Sequence, residues 1–259
     1  MVEIKLDLVK SLEENASFYF EKSKKSKKKI AGVLGILQKN IDKLNSIKHK
    51  ESKKEILVEK SARKKYWYEK FRWFYSSENF LVIGGRDATT NDIIVKKHIE
   101  IGDLVFHTDM AGSPFFIVKS EGREIGDITK EETAQATASY NSKAWKAGLS
   151  TSDVFYVTPG QISKQAQSGE FLGKGSFMIR GKTTYLHPKL ELAIGLKDKE
   201  IIGGPVTAIK VNADKYIIIT QGKEKSSTIA KKIKSKFKAD VDLDDIIRFL
   251  PAGGCDIQK

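Results

Sequence analysis

Three stretches of this chain hold residue types able to do chemistry. Gly173-Lys174-Gly175-Ser176 resembles a phosphate-cradling P-loop, but Gly169 stands one residue too close to it, and a glycine occupies the position where Ser or Thr holds magnesium. Phe177-Met178-Ile179-Arg180 then reads as strand rather than the helix a P-loop feeds, so a tight turn or a backbone nest touching a phosphate is expected in place of nucleotide hydrolysis. His107-Thr108-Asp109 puts an imidazole and a carboxylate on one face of a strand, the arrangement of an acid–base or metal pair. Histidine is scarce, however: His49, His98, His107 and His187 are the whole complement, with no His-Glu-x-x-His spacing. His107 is therefore expected to be structural, bonded to Asp109 or a loop backbone, and neither a metal nor another cofactor is expected.

The third stretch, Tyr66-Trp67-Tyr68-Glu69-Lys70-Phe71-Arg72-Trp73-Phe74-Tyr75, interleaves aromatic and basic residues, the means by which proteins stack bases and neutralise phosphates. The same aromatics on a helix that docks onto a sheet serve as core, leaving Lys65 and Arg72 on the outer face. No Gly-x-Ser-x-Gly elbow and no Ser/His/Asp or Cys/His set can be assembled from spacing. Cys255, the only cysteine, excludes an intramolecular disulfide and a Cys-cluster zinc site and reads as a bystander thiol. The chain is accordingly expected not to be an enzyme.

Charge points to the partner. Lys and Arg number 46 against 33 acidic residues, a net charge of +13, which favours polyanions: lysines that replace condensed counterions gain affinity for phosphate backbones. Membrane surface is the rival polyanion, but no run approaches the roughly 18–20 continuous apolar residues of a spanning helix. Met1-Val2-Glu3-Ile4-Lys5 also lacks a signal peptide's apolar core, so a cytoplasmic protein without membrane attachment is expected.

The elements that position these residues follow from periodicity. Leu8, Leu12, Phe20, Ile30, Leu34, Leu37, Ile41 and Leu44 recur at helical spacing, and a second run from Lys53 through Ile56, Leu57, Tyr66, Phe71 and Phe74 does the same. A long α-helical hairpin, a coiled coil turning near His49–Ser52, is expected over residues 1–75. A forty-residue helix reaches about 60 Å, more than a compact body needs, so the arm is expected to project. Its polar face carries Lys22, Lys24, Lys25, Lys27, Lys28 and Lys29, either a solvated face or a phosphate-touching one.

Residues 79–84, 93–97, 104–108 and 115–119 read as short antiparallel strands. Thr129 and Glu132 form a capping-box pattern ahead of one helix, Ala134 to Ala147, ended by Gly148. Strands are expected again at 154–157, 176–180, 190–194, 206–211 and 216–220, then two short helices begun by Ser227 and Asp242 and stopped by Pro251. The fold class is α+β: a largely antiparallel mixed sheet with one central helix and C-terminal helices.

The stretch from Tyr66 through Ser76-Ser77-Glu78-Asn79-Phe80-Leu81-Val82-Ile83-Gly84-Gly85-Arg86-Asp87-Ala88 resembles the signature of the NFACT-R domain. Further matches are Val105-Phe106-His107-Thr108-Asp109 with Gly112-Ser113-Pro114-Phe115, Ala138-Ser139-Tyr140 through Ala144-Trp145-Lys146-Ala147-Gly148, and Ser168-Gly169-Glu170-Phe171-Leu172 with Gly175 to Lys182. Asn15 to Lys22 resembles the family's entry into its coiled coil. The family is that of NEMF and RqcH, also known as fibronectin-binding protein A homologues.

The resemblance implies a coiled coil over residues 1–75, an NFACT-R RNA-binding domain over 76–222 and a basic helical tail over 223–259. It also implies a role in ribosome-associated quality control, binding the large ribosomal subunit with rRNA and/or tRNA on stalled nascent-chain complexes. Family members begin with a large N-terminal domain that engages tRNA, so a separate N-terminal NFACT domain chain is an implied partner, and tailing of the nascent chain is not expected of this chain alone. The fibronectin-binding label suggests an adhesin, which the absent signal peptide argues against.

Specific RNA contacts are expected from Arg86, Lys96, Lys97, His107, Lys174, Arg180 and Lys182, at strand ends or glycine-bearing turns where a backbone can approach phosphate. Asp87 is expected to orient Arg86. The alternative is a nucleic-acid-acting enzyme centred on Arg86, Asp87, His107 and Asp109.

Overall fold

The computed structural model describes residues 4–58, 66–163 and 177–258, with side chains of residues 46–58 left out of the description. The chain divides into two compact units, Met1–Lys65 and Tyr66–Lys259.

The first unit is built on α1 (Leu12–Val58). Ser11 and Glu14 start it with a reciprocal capping pair: Glu14 N donates to Ser11 Oγ at 3.2 Å and Ser11 N to Glu14 Oε2 at 2.8 Å. The turn expected near His49–Ser52 does not form, and α1 runs through it as one helix. No glycine or proline interrupts the run from Leu44 to Val58, so nothing local stops the hydrogen-bond ladder. Lys22, Lys24, Lys25, Lys27, Lys28 and Lys29 are exposed along it, as are Ile30, Leu34, Leu37, Ile41 and Leu44.

The second unit starts earlier than helical spacing suggested. Tyr66 to Tyr75 is not helix: Trp67–Lys70 makes one 3-10 turn, and β1 (Arg72–Tyr75) is an edge strand. Aromatic residues favour a pleated surface, and here alternate positions reach two cores: Phe71 is fully buried in one and Phe74 in the other.

β1 pairs with β2 (Leu81–Gly84), and the six-stranded antiparallel sheet continues through β4 (Phe116–Val118), β3 (Leu104–Thr108), β5 (Val154–Val157) and β8 (Thr184–Leu186). A two-stranded ribbon joins β6 (Ile162–Ser163) and β7 (Met178–Ile179). A second, four-stranded sheet orders β10 (Glu200–Gly204), β9 (Leu192–Lys197), β11 (Lys215–Glu224) and β12 (Cys255–Ile257).

Both faces of the first sheet are covered, which is why Val105 and Phe106, or Ile117 and Val118, are buried although their side chains oppose each other. One face packs on α2 (Ala88–Lys97) through Ile94. The other packs on α3 (Asp127–Ser139), whose Ala134 and Ala138 let it lie close to both sheets. Thr133 and Thr137 are fully buried there, each hydroxyl donating to the carbonyl four residues back at 2.7 Å.

Several expected elements change type. Residues 93–97 belong to α2, because Asp87 caps it by accepting from Thr90 N at 2.8 Å; the β-branched Ile93, Ile94 and Val95 imitate a strand. Residues 206–211 likewise lie in α5 (Val206–Asn212), which begins immediately after Pro205. The single helix expected from Ala134 to Ala147 is two, α3 and α4 (Ser142–Ala147), broken where Asn141 caps the second by accepting from Lys143 N and Ala144 N. Gly148 ends it at φ 72°, as the glycine signal implied.

Thr129 and Glu132 do not cap α3: both are buried within it, and Glu78 reaches across to accept from Thr129 N at 2.9 Å. The two C-terminal helices, α6 (Ser226–Phe237) and α7 (Leu243–Ile247), form where expected. With Phe249, Leu250 and Cys255 they complete the core, and β12 pairs with β11.

Candidate functional site

Strand register sets the position of the site. Arg72 and Phe116 both pair with Gly84, from either side of β2, so the start of β1, the end of β2 and the start of β4 meet at one end of the sheet. A cleft of about 280 Å³ opens there. Arg72 comes from β1; Gly85, Arg86, Asp87, Ala88 and Asn91 from the junction into α2; Gly112, Ser113 and Pro114 from the loop between β3 and β4; Tyr140 and Ser142 from the break between α3 and α4; and Ala252 from the C-terminal loop.

Local structure fixes each wall. Asn91 is buried and its Oδ1 accepts from Phe115 N at 3.1 Å, tying α2 to the β3–β4 loop. A side chain at Gly85 would put its Cβ 1.7 Å from that Oδ1, so only glycine fits. Asn141 Nδ2 donates to Thr108 Oγ1 at 2.9 Å and to Met110 O at 3.1 Å, and Ser142 N donates to Gly112 O at 3.2 Å, holding the helix break against the same loop. Trp145 Nε1 donates to Gly254 O at 2.9 Å, which anchors the segment carrying Ala252.

Positive charge gathers at the cleft, with Asp87 the one carboxylate among the residues lining it. The Arg72 guanidinium lies over the Tyr140 ring, 4.0 Å from its centroid, and its Nη1 is buried with no hydrogen-bond partner among the described residues. Burial lowers the Arg72 pKa, while Tyr140 pulls the other way. Arg86 donates from Nη2 to Phe71 O at 3.0 Å; desolvation lowers its pKa first, followed by the positive charges of Arg248 and Arg72. Arg248 donates to the Glu69 carbonyl oxygen and stands 3.8 Å from Asp245. These guanidiniums stay charged at neutral pH, and each raises the cost of the others unless an anion joins them.

Of the described residues expected to bind RNA, Arg86 alone lines the cleft. Lys96 and Lys97 sit in the last turn of α2, about 12–14 Å along the helix axis from its start; Lys96 pairs with Asp92 at 2.7 Å. Arg180 and Lys182 are exposed on a loop whose carbonyl oxygens accept from Gln161 Nε2 at 3.0 and 2.8 Å. Lys174 lies outside the described residues.

His107 supports the site from behind. Its ring stacks on Phe115 at 4.2 Å between centroids, and its pKa is lowered chiefly by burial, against hydrogen bonds to the backbone at Thr108 and Ser113. Asp87 caps α2 and its negative charge favours the charged form of Arg86, Arg86 donates to Phe71 O, and Asp109 accepts from the Tyr185 hydroxyl at 3.0 Å. The four residues of the enzyme alternative are thus split between the cleft and the strand beneath it. Among the described residues no cluster of His, Cys, Asp and Glu is arranged to hold a metal. Cys255 is fully buried, and burial pushes its thiol up to about 11.

Sequence reasoning missed Tyr140, Asn91, Ser113 and Ser142, and placed Arg72 on the outer face of a helix. Tyr140, Ser113 and Arg72 do lie in the stretches that carried the family resemblance, and those stretches converge on this cleft.

Residues 70–181 match the family model described as NFACT protein RNA binding domain. The archaeal Rqc2 homolog aRqcH of Methanocaldococcus jannaschii is 39% identical over 209 residues, which make up 78% of this chain and 31% of that protein. Human ribosome quality control complex subunit NEMF is 40% identical over 178 residues, 67% of this chain and 16% of that protein. A solved structure, the C-terminal of the fibronectin/fibrinogen-binding protein from Streptococcus suis, aligns over 52% of this chain and 54% of its own, with 24% identity and a TM-score of 0.38. This chain spans under a third of the length of either full-length relative.

The second unit is therefore built around an NFACT-R domain. The chain belongs to the family of the Rqc2, NEMF and RqcH ribosome quality control proteins.

Proposed function

We propose that this chain is a non-catalytic, RNA-binding component of ribosome-associated quality control. It binds the large ribosomal subunit, tRNA or both on stalled nascent-chain complexes, and it works in the cytoplasm. The observation that carries this reading is the gathering of Arg72 and Arg86, with Arg248 close by, at a cleft built from motifs distant in sequence. A net charge of +13 adds long-range attraction to a polyribonucleotide. No described helix is long and apolar enough to cross a membrane.

Absence of catalysis is supported by the separate commitments of Asp87, His107 and Asp109.

Ultraviolet crosslinking of the full chain in cell extract, followed by sequencing of the attached RNA, tests the reading. Enrichment of large-subunit rRNA or tRNA is expected. RNA yield no higher than in a sample without irradiation contradicts RNA binding, and nucleotide or RNA turnover abolished by His107→Ala contradicts the non-catalytic part.

A further inference from the structure

The Arg72 guanidinium lines the cleft beside the Tyr140 ring. Its Nη1 is buried and unpartnered among the described residues, and the ring it lies against is uncharged. An ionised group taken out of water costs several kcal/mol unless a counter-charge and hydrogen bonds compensate it. The one carboxylate lining the cleft, Asp87, caps α2: its Oδ1 accepts from both Thr90 N, at 2.8 Å, and Thr90 Oγ1, at 3.1 Å.

We propose that the cleft is a pocket for one phosphate group of single-stranded RNA, with Arg72 as its buried anchor and Arg86 engaging the phosphate from the rim. The inference rests on the RNA-binding reading above and assigns its chemistry to one place. Size agrees: about 280 Å³ admits a single nucleotide unit and excludes a duplex. The lining argues for phosphate over base. Tyr140 is 6% exposed and its ring is already occupied by Arg72 and packed beside Phe116, so no open face is left on which a base can stack. Ser113 and Ser142 add polar residues to the lining, and planar guanidinium matches phosphate oxygens in pairs. A phosphate of this kind comes from an internal phosphodiester or from a terminal phosphomonoester.

Both sources can be separated with the full chain. The ligands are inorganic phosphate alone, a short single-stranded RNA ending in a hydroxyl, and the same RNA with a 5′-phosphate. Wild type is compared with Arg72→Met, which keeps an unbranched stem and removes the charged guanidinium, by RNA affinity and by thermal midpoint.

Inorganic phosphate should raise the midpoint of wild type and leave that of R72M unmoved. Without ligand, R72M should melt no lower than wild type, because an uncompensated buried charge has gone. Its RNA affinity should fall about tenfold or more, the scale on which lost charged contacts report. A fall confined to the phosphorylated RNA assigns a terminal phosphomonoester; a fall on both RNAs assigns an internal phosphodiester. Should R72M not fold, Arg72→Lys, which keeps the charge without the planar fork, must show the same losses.

A folded R72M, or failing that a folded R72K, that binds both RNAs as wild type does, with no effect of inorganic phosphate on wild type, overturns the pocket and leaves RNA binding standing. Wild type that binds neither RNA overturns the RNA-binding reading itself, and the pocket with it.

Discussion

Arg72, on an edge strand, and Tyr140, at a break between two helices, meet in the cleft: the guanidinium carbon stands 4.0 Å from the ring centroid, and both residues line the cavity. The same ring is tethered beyond its edge, for its hydroxyl donates to the Phe249 carbonyl oxygen at 2.7 Å. One aromatic thus links the edge strand, the helix break and the C-terminal segment.

Tyr140→Phe should separate these roles. The ring under Arg72 survives, but the buried Phe249 carbonyl loses its donor, a loss of about 1–3 kcal/mol. Urea unfolding should show that destabilisation while RNA affinity stays near wild type. An equal loss of affinity in the folded variant contradicts the division of labour between ring and hydroxyl.

Lys119 offers a harsher test of the fold. Its buried ammonium donates to Asp103 Oδ2 at 2.5 Å and to His98 O at 2.8 Å, and it stands 3.0 Å from Glu100. Asp103 also accepts from Ser120 N at 3.0 Å. Asp103→Ala leaves the ammonium without its buried partner and should cost about 3–5 kcal/mol. Denaturant midpoints read this directly; a change within the usual surface range of about 0.5 kcal/mol contradicts it.

Acid should loosen the domain through two histidines. Burial lowers the pKa of His107, and burial followed by the charge of Lys70 lowers that of His98, which stacks on Trp67. The unfolded chain therefore takes up protons at a higher pH than the fold does. The stability this represents is whole above the unfolded value of 6.5 and is lost as pH falls through the lowered folded-state values. Thermal midpoints should drop as pH falls below 6.5, and His107→Gln should flatten the drop. A midpoint that rises over that window contradicts the sign.

The architecture was legible wherever local signals agreed with tertiary demand. Gly148 ends a helix and Asp242 begins one, as their types imply. Where β-branched residues lay on a helix, as at Ile93–Val95 and Val206–Val211, periodicity pointed to strands, and the deciding features were Asp87 and Pro205 just upstream.

The site was legible only in part. Arg86 could be singled out because it stands beside Gly85 in a turn. Arg72 could not, since what makes it notable is the edge strand that brings it opposite Gly84 and the Tyr140 ring beneath it. Local spacing does not encode that meeting.

The lysines of α1 should give sequence-independent affinity. Replacing Lys24, Lys25, Lys27 and Lys28, all exposed, by Gln removes point charges that displace counterions. RNA binding should weaken at low salt, and the slope of log affinity against log salt should flatten. An unchanged slope makes the run a solvated helix face.

The most direct measurement of the central claim compares Arg86→Lys with Arg180→Lys for affinity to RNA and to isolated large ribosomal subunits. Both keep their charge and lose the planar fork, but only Arg86 lines the cleft. With thermal midpoints close to wild type, R86K should bind about tenfold more weakly and R180K within about twofold, the contrast between a desolvated contact and a rim charge. Equal, wild-type affinity in both variants would contradict the placement of the binding site in the Arg72–Arg86–Tyr140 cleft.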